Sequence, residues 1–486
     1  MKKYIPLAVF VFSLTFLTIL CAKEWTWIFT SSDSGDWLAS AVTWMAPQPF
    51  GSPLYILLGR FVNLLPGNLA LNMTLLLSVL PSAITVLLVY LIIKRLTDKI
   101  SIALVCSLTL LGSAVFLSQS TVLEEYAITI MFLTGAYYAY IKNWRYRTVL
   151  LLGLGTAVHM FVALIAVFWI LADRRWKLWL GKPLLAYIMT GIVPYCLILI
   201  LMACDTPRLI AGGLNLKSIM DYTTTTAKGI VGNLSIFEAP ARLLILGKLT
   251  LVCFGLALVP LVYYIRDTLT HKSLTKQTAV LLATAILCLW YFATNMDVLS
   301  WTWAAFASPS IIVLVGLGLA KLSRWHLSLV CCSALTLLAI NSIFLNANTL
   351  TQENPKAMAY YNELNGLPDG TVIVTERGEY SMGLFYVINN GKNLIPLVYP
   401  YLDESNFEDY RGWLNEKYQL GIDTDWDTLT LIAYLKSEGK DVYYAYEGNS
   451  RFRRCLILEE GFTEDPIKRI NSLSGLPPEP FIEEVE

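Results

Sequence analysis

The chain has 486 residues, 56% of them hydrophobic, a mean hydropathy of +0.57 and a formal net charge of zero. That composition excludes an ordinary soluble globular protein and a basic nucleic-acid binder, and fits a polytopic membrane protein. The charge is uneven: residues 1–350 carry 24 Lys and Arg against 12 Asp and Glu, residues 351–486 carry 12 against 24, so a basic membrane part precedes an acidic, water-facing part.

The first apolar run, 4–22, follows Lys2 and Lys3 and has no convincing small-x-small cleavage site; it reads as a retained helix with a cytoplasmic N-terminus. A polar, aromatic and Pro-rich outer loop spans 23–68, with room for interfacial helices at 34–46 and, after Pro53, at 53–65. Apolar spans follow at 69–93, 100–118 and 122–141. The run 148–172 is harder to place, because a single span would leave Arg174, Arg175 and Lys177 outside, against the positive-inside bias. A break at His159 into half-helices 148–158 and 160–172 returns that cluster to the inside. Each half covers only about 16–20 Å of a ~30 Å core, which is tolerated where it lines a protein cavity.

Further spans are expected at 183–203, 241–265, 277–293, 301–320 and 327–345, with a second outer loop at 204–240. The total is about eleven spans, N-terminus in and C-terminus out. Residues 1–349 thus form the transmembrane domain and 350–472 a soluble, extracytoplasmic α/β domain. In the latter, helices are expected at 354–365, 379–389, 406–420 and 426–438, and strands at 371–374, 441–446 and 455–458. The Pro- and Glu-rich tail, 473–486, reads as disordered. Nine cysteines show no metal-type spacing, and several (Cys106, Cys253, Cys288, Cys331, Cys332) fall in apolar runs as small packing residues.

Four stretches carry candidate chemistry. Asp33-Ser34-Gly35-Asp36 puts two acids at the outer surface, where one can take a proton from an acceptor hydroxyl; the bland alternative is a helix N-cap. Gln48-Pro49-Phe50-Gly51-Ser52-Pro53-Leu54-Tyr55 makes a turn against the bilayer and leads to Leu58-Gly59-Arg60. Arg60 suits a phosphate, or snorkels as an interfacial cation. Glu124-Glu125-Tyr126 opens a span at the outer face, as a site element or a structural ion pair. His159 falls at the helix break, near a half-helix start that favours anions; otherwise it is a buried histidine with a backbone partner. No metal constellation and no Walker-type glycine loop is present.

Together, in this order, these stretches resemble the lipid-sugar-dependent protein O-mannosyltransferase-like family of the GT-C glycosyltransferase superfamily. Its members include bacterial domains of unknown function and a metazoan transmembrane O-mannosyltransferase. The family's Asp-Ser-Gly-acid motif matches Asp33 to Asp36, its His-Pro-Pro-Gly-x-Pro-Leu-Tyr stretch matches 48–55, and its Glu-x-Tyr matches Glu124 to Tyr126. Its Gly-Leu-Gly with a following His matches Gly153-Leu154-Gly155 and His159. The chain departs at Gln48 for the motif His, Phe50 for the second Pro and Asp36 for the usual Glu. The resemblance covers about residues 30–172 closely and the later helices loosely.

What the resemblance implies is a GT-C enzyme at the plasma membrane, taking a sugar from a polyprenyl-phosphate carrier to an acceptor hydroxyl at the outer face. Mannose is the family default, and the acceptor is a protein or glycan. Asp33 would be the base and Asp36 would orient the acceptor or stabilise charge at the anomeric carbon. Arg60 and His159 would stabilise the leaving phosphate, with Glu124, Tyr126, Gln48 and Tyr55 in support. No metal or other cofactor would be needed, because the donor arrives activated. A transporter or flippase, or a non-catalytic receptor, is the competing class; the Trp-Trp-Asp-Tyr-Gly signature of asparagine-glycan transferases is absent.

Overall fold

The computed structural model describes residues 2–22, 37, 41, 52–67, 69–173, 179–197, 250–251, 253–294, 302–348, 363–376, 384, 387–388, 391–399, 414–421, 428–445, 468–469 and 482–484. The membrane part is a helical bundle. Ile5–Ala22 is followed by Pro53–Asn63, with Pro53 at its first position where the missing amide costs nothing. Leu69–Met73 runs through a π-helical segment, Thr74–Val79, into Leu80–Thr97. Then come Ile100–Leu111, Ala114–Thr121, Tyr126–Ile141, Arg145–Val158, Phe161–Asp173 and Lys182–Gly191. The later helices are Leu258–Thr270, Lys276–Thr294, Thr302–Lys321 and Arg324–Asn348.

Among the described residues, Leu71–Thr97 and Arg324–Ile343 are long and apolar enough to cross a bilayer, and Ile100–Leu111 with Ala114–Thr121 adds a third if that bent pair is one span. The expectation of about eleven spans counted the shorter apolar helices too, and the spans expected at 183–203 and 241–265 lie partly outside the described residues. The run 100–118, expected to be continuous, bends by 65° at its break. Gly112 sits there because a Cβ would lie 2.9 Å from the Ala334 carbonyl. Its own carbonyl, released from the helix ladder, accepts a hydrogen bond from the buried Asn341 amide at 2.7 Å.

The break at His159 is present. His159 is extended (φ −145°, ψ 114°) between helices of 14 and 13 residues. Far from it, basic residues close helix ends: Lys94 pairs with Asp98, Lys321 with Asp267, and Lys99 Nζ donates to Ala320 O at 2.9 Å. The buried Asp173 accepts from Tyr140 Oη at 2.7 Å and Trp179 Nε1 at 3.1 Å, tying the end of its helix to two neighbours.

The C-terminal part holds a five-stranded sheet: β1 (Val372–Glu376), β2 (Ile395–Tyr399), β3 (Val442–Ala445), β4 (Lys468–Arg469) and β5 (Ile482–Glu484) in the order β2-β1-β3-β5-β4. The central strand β1 pairs in parallel with β2 and β3, and Val372, Ile373 and Val374 are all buried, as a continuous apolar run requires between two covered faces. Helix Thr428–Ser437 buries Leu431, Ile432 and Leu435 and leads into β3, the crossover a parallel pair needs. Gly370 (φ +85°) makes the Pro368–Gly370 turn.

Two readings of this part change. Strand β2, with Pro396 inside it, was not expected. The tail, read as disordered, supplies β5, which pairs antiparallel with β3 and β4. The strand expected at 455–458 lies outside the described residues.

Candidate functional site

A small apolar cluster, separate from the main core, is where the motif stretches meet. Trp37 and Ala41 come from the first outer loop, Tyr55, Ile56 and Val62 from helix Pro53–Asn63, and Met73 and Leu77 from the next helix. Leu123 and Ile128 flank the Glu124–Tyr126 motif, and Val158 directly precedes His159. Each of these is buried. Stretches spread over more than a hundred residues, from Trp37 to Val158, are thus packed into one cluster.

Local sequence explains the packing. Trp37 and Ala41 are helical, one turn apart, within the helix expected at 34–46. The Tyr55 ring meets Trp37 edge-on at 5.1 Å, a favoured aromatic geometry. A Cβ on Gly59 would lie 3.0 Å from both Ala41 Cβ and Met73 Cε, so the glycine lets helix Pro53–Asn63 sit close between its neighbours. One residue on, Arg60 donates from Nη1 to Ala41 O at 3.2 Å, tying the loop to the helix.

The Tyr55 hydroxyl is buried, with Ser78 beside it and the Glu124 and Glu125 carboxylates within electrostatic reach. The Tyr55 and Ser78 hydroxyls are both buried. Ser78 belongs to the π-helical segment, a feature that often marks functional places in helices.

His159 organises the other side. Its amide donates to Gly155 O at 2.8 Å, closing the first half-helix, and its carbonyl accepts from Val162 at 3.0 Å, opening the second. The Phe161 amide donates to Nδ1 at 3.3 Å. A nitrogen that accepts carries no proton, so the neutral ring holds its proton on Nε2. That atom faces Glu125 Oε1 at 4.0 Å. Glu125 therefore approaches the imidazole, where sequence had singled out Glu124; both acids are buried, at 3% and 5% exposure. The ring packs against Tyr126 at 5.7 Å and edge-on against Phe306 at 5.3 Å.

The glycines of the third motif serve this break. A Cβ on Gly153 would lie 1.9 Å from Thr190 Oγ1, and one on Gly155 would press Val162 at 3.2 Å. The first lets helix Lys182–Gly191 pack against Arg145–Val158; the second lets the two half-helices turn back on each other.

Of the residues expected from sequence, the structure brings Tyr55, Glu124 and Tyr126 into this region with His159, and puts Arg60 on the helix that packs there. Asp33, Asp36 and Gln48 lie outside the described residues. Sequence reasoning named Glu125 only as part of the Glu124–Tyr126 motif, and passed over Trp37, Ser78 and Phe306. A tryptophan next to the acidic motif was the one signal available; a serine and a phenylalanine inside apolar spans give none.

Residues 33–180 match the family model described as the protein O-mannosyl-transferase TMEM260 N-terminal domain. No curated protein matches the chain. Among solved structures, ArnT from Cupriavidus metallidurans bound to undecaprenyl phosphate superposes with a TM-score of 0.61 at 11% identity, covering 100% of this chain and 97% of that one. Its apo state gives 0.58 at 10% identity, with the same coverage. The resemblance read from the motifs holds over the matched segment, and the chain has the helical membrane-protein fold of these ArnT structures.

Proposed function

We propose that the chain is a membrane glycosyltransferase of the GT-C type that moves a sugar, mannose by family default, from a polyprenyl-phosphate carrier to an acceptor hydroxyl, with inversion at the anomeric carbon; the family model over residues 33–180 and the ArnT fold support this reading. One observation carries the reading: neighbours of all four motifs pack into a single buried cluster. The ArnT match in an undecaprenyl-phosphate complex supports a lipid-phosphate donor.

In this proposal Asp33 takes the acceptor proton as the hydroxyl attacks the anomeric carbon opposite the leaving phosphate. The carbon–oxygen bond to the phosphate breaks, and the carrier leaves as polyprenyl phosphate. Asp36 orients the acceptor or balances positive charge at the anomeric carbon, as carboxylates do in glycosidases. Arg60 supplies a planar fork for the phosphate. His159 donates from Nε2, its tautomer set by the Phe161 amide. Glu125 and Glu124 hold the imidazole side of the site; Tyr126, Tyr55 and Gln48 shape it. The donor is already activated by its phosphate, so the step as written uses no nucleotide and no metal. The acceptor, a protein or glycan, approaches from the outer face of the plasma membrane, where the C-terminal domain is proposed to lie; the N-terminus is cytoplasmic.

The test is direct. The purified protein in nanodiscs is given polyprenyl-phosphate mannose with peptide and glycan acceptors, and products are read by mass spectrometry and anomeric NMR. An inverted glycoside supports the proposal. Donor carried across vesicles with no new glycosidic bond would replace it with transport.

A further inference from the structure

We propose that Phe306 is a positioning residue that fixes the His159 imidazole, so that the site is completed by a helix outside the matched segment 33–180. This rests on the phosphate-binding role proposed for His159.

Phe306 is 1% exposed and belongs to helix Thr302–Lys321. Its ring touches three aromatic groups around the helix break: His159 edge-on at 5.3 Å, Tyr126 at 5.6 Å and Phe161 stacked at 6.2 Å. Tyr126 closes the set by packing on His159 at 5.7 Å. The imidazole is thus held between two rings from two different helices, while the Phe161 amide fixes its Nδ1. An extended residue at a helix break has no helical neighbour to set its rotamer, so side-chain packing does it.

The turn that carries Phe306 is itself stiffened. Pro309 lies inside the helix and has no amide to donate to Ala305. The Ala305 carbonyl accepts instead from Ser308 Oγ at 2.7 Å, so the polar group is satisfied without unwinding. Phe306, Pro309, Ser310 and Val313 line a narrow crevice with Trp169, which is hydrogen-bonded through Nε1 to Thr284 at 2.6 Å. Phe306 is both a wall of that crevice and a support for His159. A small side chain there would leave the imidazole without one of its two faces.

The experiment uses full-length protein in nanodiscs, labelled with ¹⁵N-histidine. The chain has three histidines, His159, His271 and His326, so resonances are assigned by substitution. Phe306→Leu is expected to move the His159 nitrogens away from a single Nε2–H tautomer and leave His271 and His326 unchanged. It should raise the donor KM about two- to tenfold, the range of one aromatic pair, with little change in kcat. Phe306→Tyr, which keeps the ring, should restore both. In a His159→Ala background Phe306→Leu should add nothing. Phe306→Met serves the same purpose if the leucine variant does not fold.

An unchanged His159 spectrum, or an equal loss of activity with and without His159, would overturn the proposal and make Phe306 a core residue only. If the unaltered protein transfers no sugar, the functional reading fails, and the NMR measurement still decides the support of His159 by Phe306.

Discussion

Gly153→Ala tests how tightly the His159 break is built. Alanine is the better helix former by about 1 kcal/mol, so an open site would gain stability. At Gly153 the added methyl would lie 1.9 Å from Thr190 Oγ1, 3.0 Å from Thr190 Cβ and 3.1 Å from the Tyr187 carbonyl. The Thr190 hydroxyl donates to Ala186 O at 2.8 Å, so turning it away loses a hydrogen bond of about 1 kcal/mol. The carbonyl is backbone and moves only with its helix. Overpacking of this kind costs about 1–3 kcal/mol, so the clash wins and the net loss is about 1–3 kcal/mol. The apparent melting midpoint in detergent should fall by roughly 2–5 °C. Because His159 follows the end of this helix, six residues on from Gly153, the donor KM should rise as well. Thr190→Ala in the same chain removes the closest contact and should recover most of the stability. Gly366→Ala, where nothing lies within 4 Å of the new Cβ, is the control and should be neutral or stabilising. A Gly153→Ala protein as stable as the parent, or no rescue by Thr190→Ala, would refute the close helix approach.

Three other outcomes follow from the same kind of reasoning. Asn341→Leu leaves the Gly112 carbonyl buried without its donor and should cost about 1–3 kcal/mol, read as a lower melting midpoint with donor KM unchanged. Arg60→Lys keeps the charge but loses the fork and the bond to Ala41 O, and should weaken donor binding about tenfold at unchanged expression. Burial pushes the Glu363 carboxyl up to about 7 from 4.5. Its folded form then binds the proton more tightly than its unfolded form, so stability falls as pH rises from about 4.5 to about 7. Glu363→Gln should flatten that pH dependence, measured as the difference in melting midpoint between pH 5 and pH 8.

Where hydrophobic length and charge conflicted, the sequence was informative. The run 148–172 was too short for two full spans and had its arginines on the wrong side for one, and a break at His159 into two half-helices reconciled them. Gly112 and Ser113 carried no such conflict, because the apolar run around them has a plausible length for one span; the bend depends on Asn341, more than two hundred residues away. Strand β5 was hidden for a related reason. Pro- and Glu-rich composition argues against a core of its own, but two neighbouring strands supply the partners it needs. Within the site, the motif acids and His159 stood out as polar groups beside apolar spans. Phe306 is one aromatic among many in such a span and is marked only by what it touches. The choice between Glu124 and Glu125 was equally invisible, since adjacent residues differ only in the direction their side chains take from the turn.

The central claim is that an acid in the first outer loop activates an acceptor for attack on a lipid-phosphate sugar. The most direct measurement is the rate of sugar transfer by Asp33→Asn in nanodiscs with polyprenyl-phosphate mannose, beside the parent protein and a melting curve of each. Loss of the base should lower kcat by about 10²–10⁴-fold with the melting midpoint and donor KM essentially unchanged. Turnover at the parent rate would contradict the claim and remove Asp33 from the reaction.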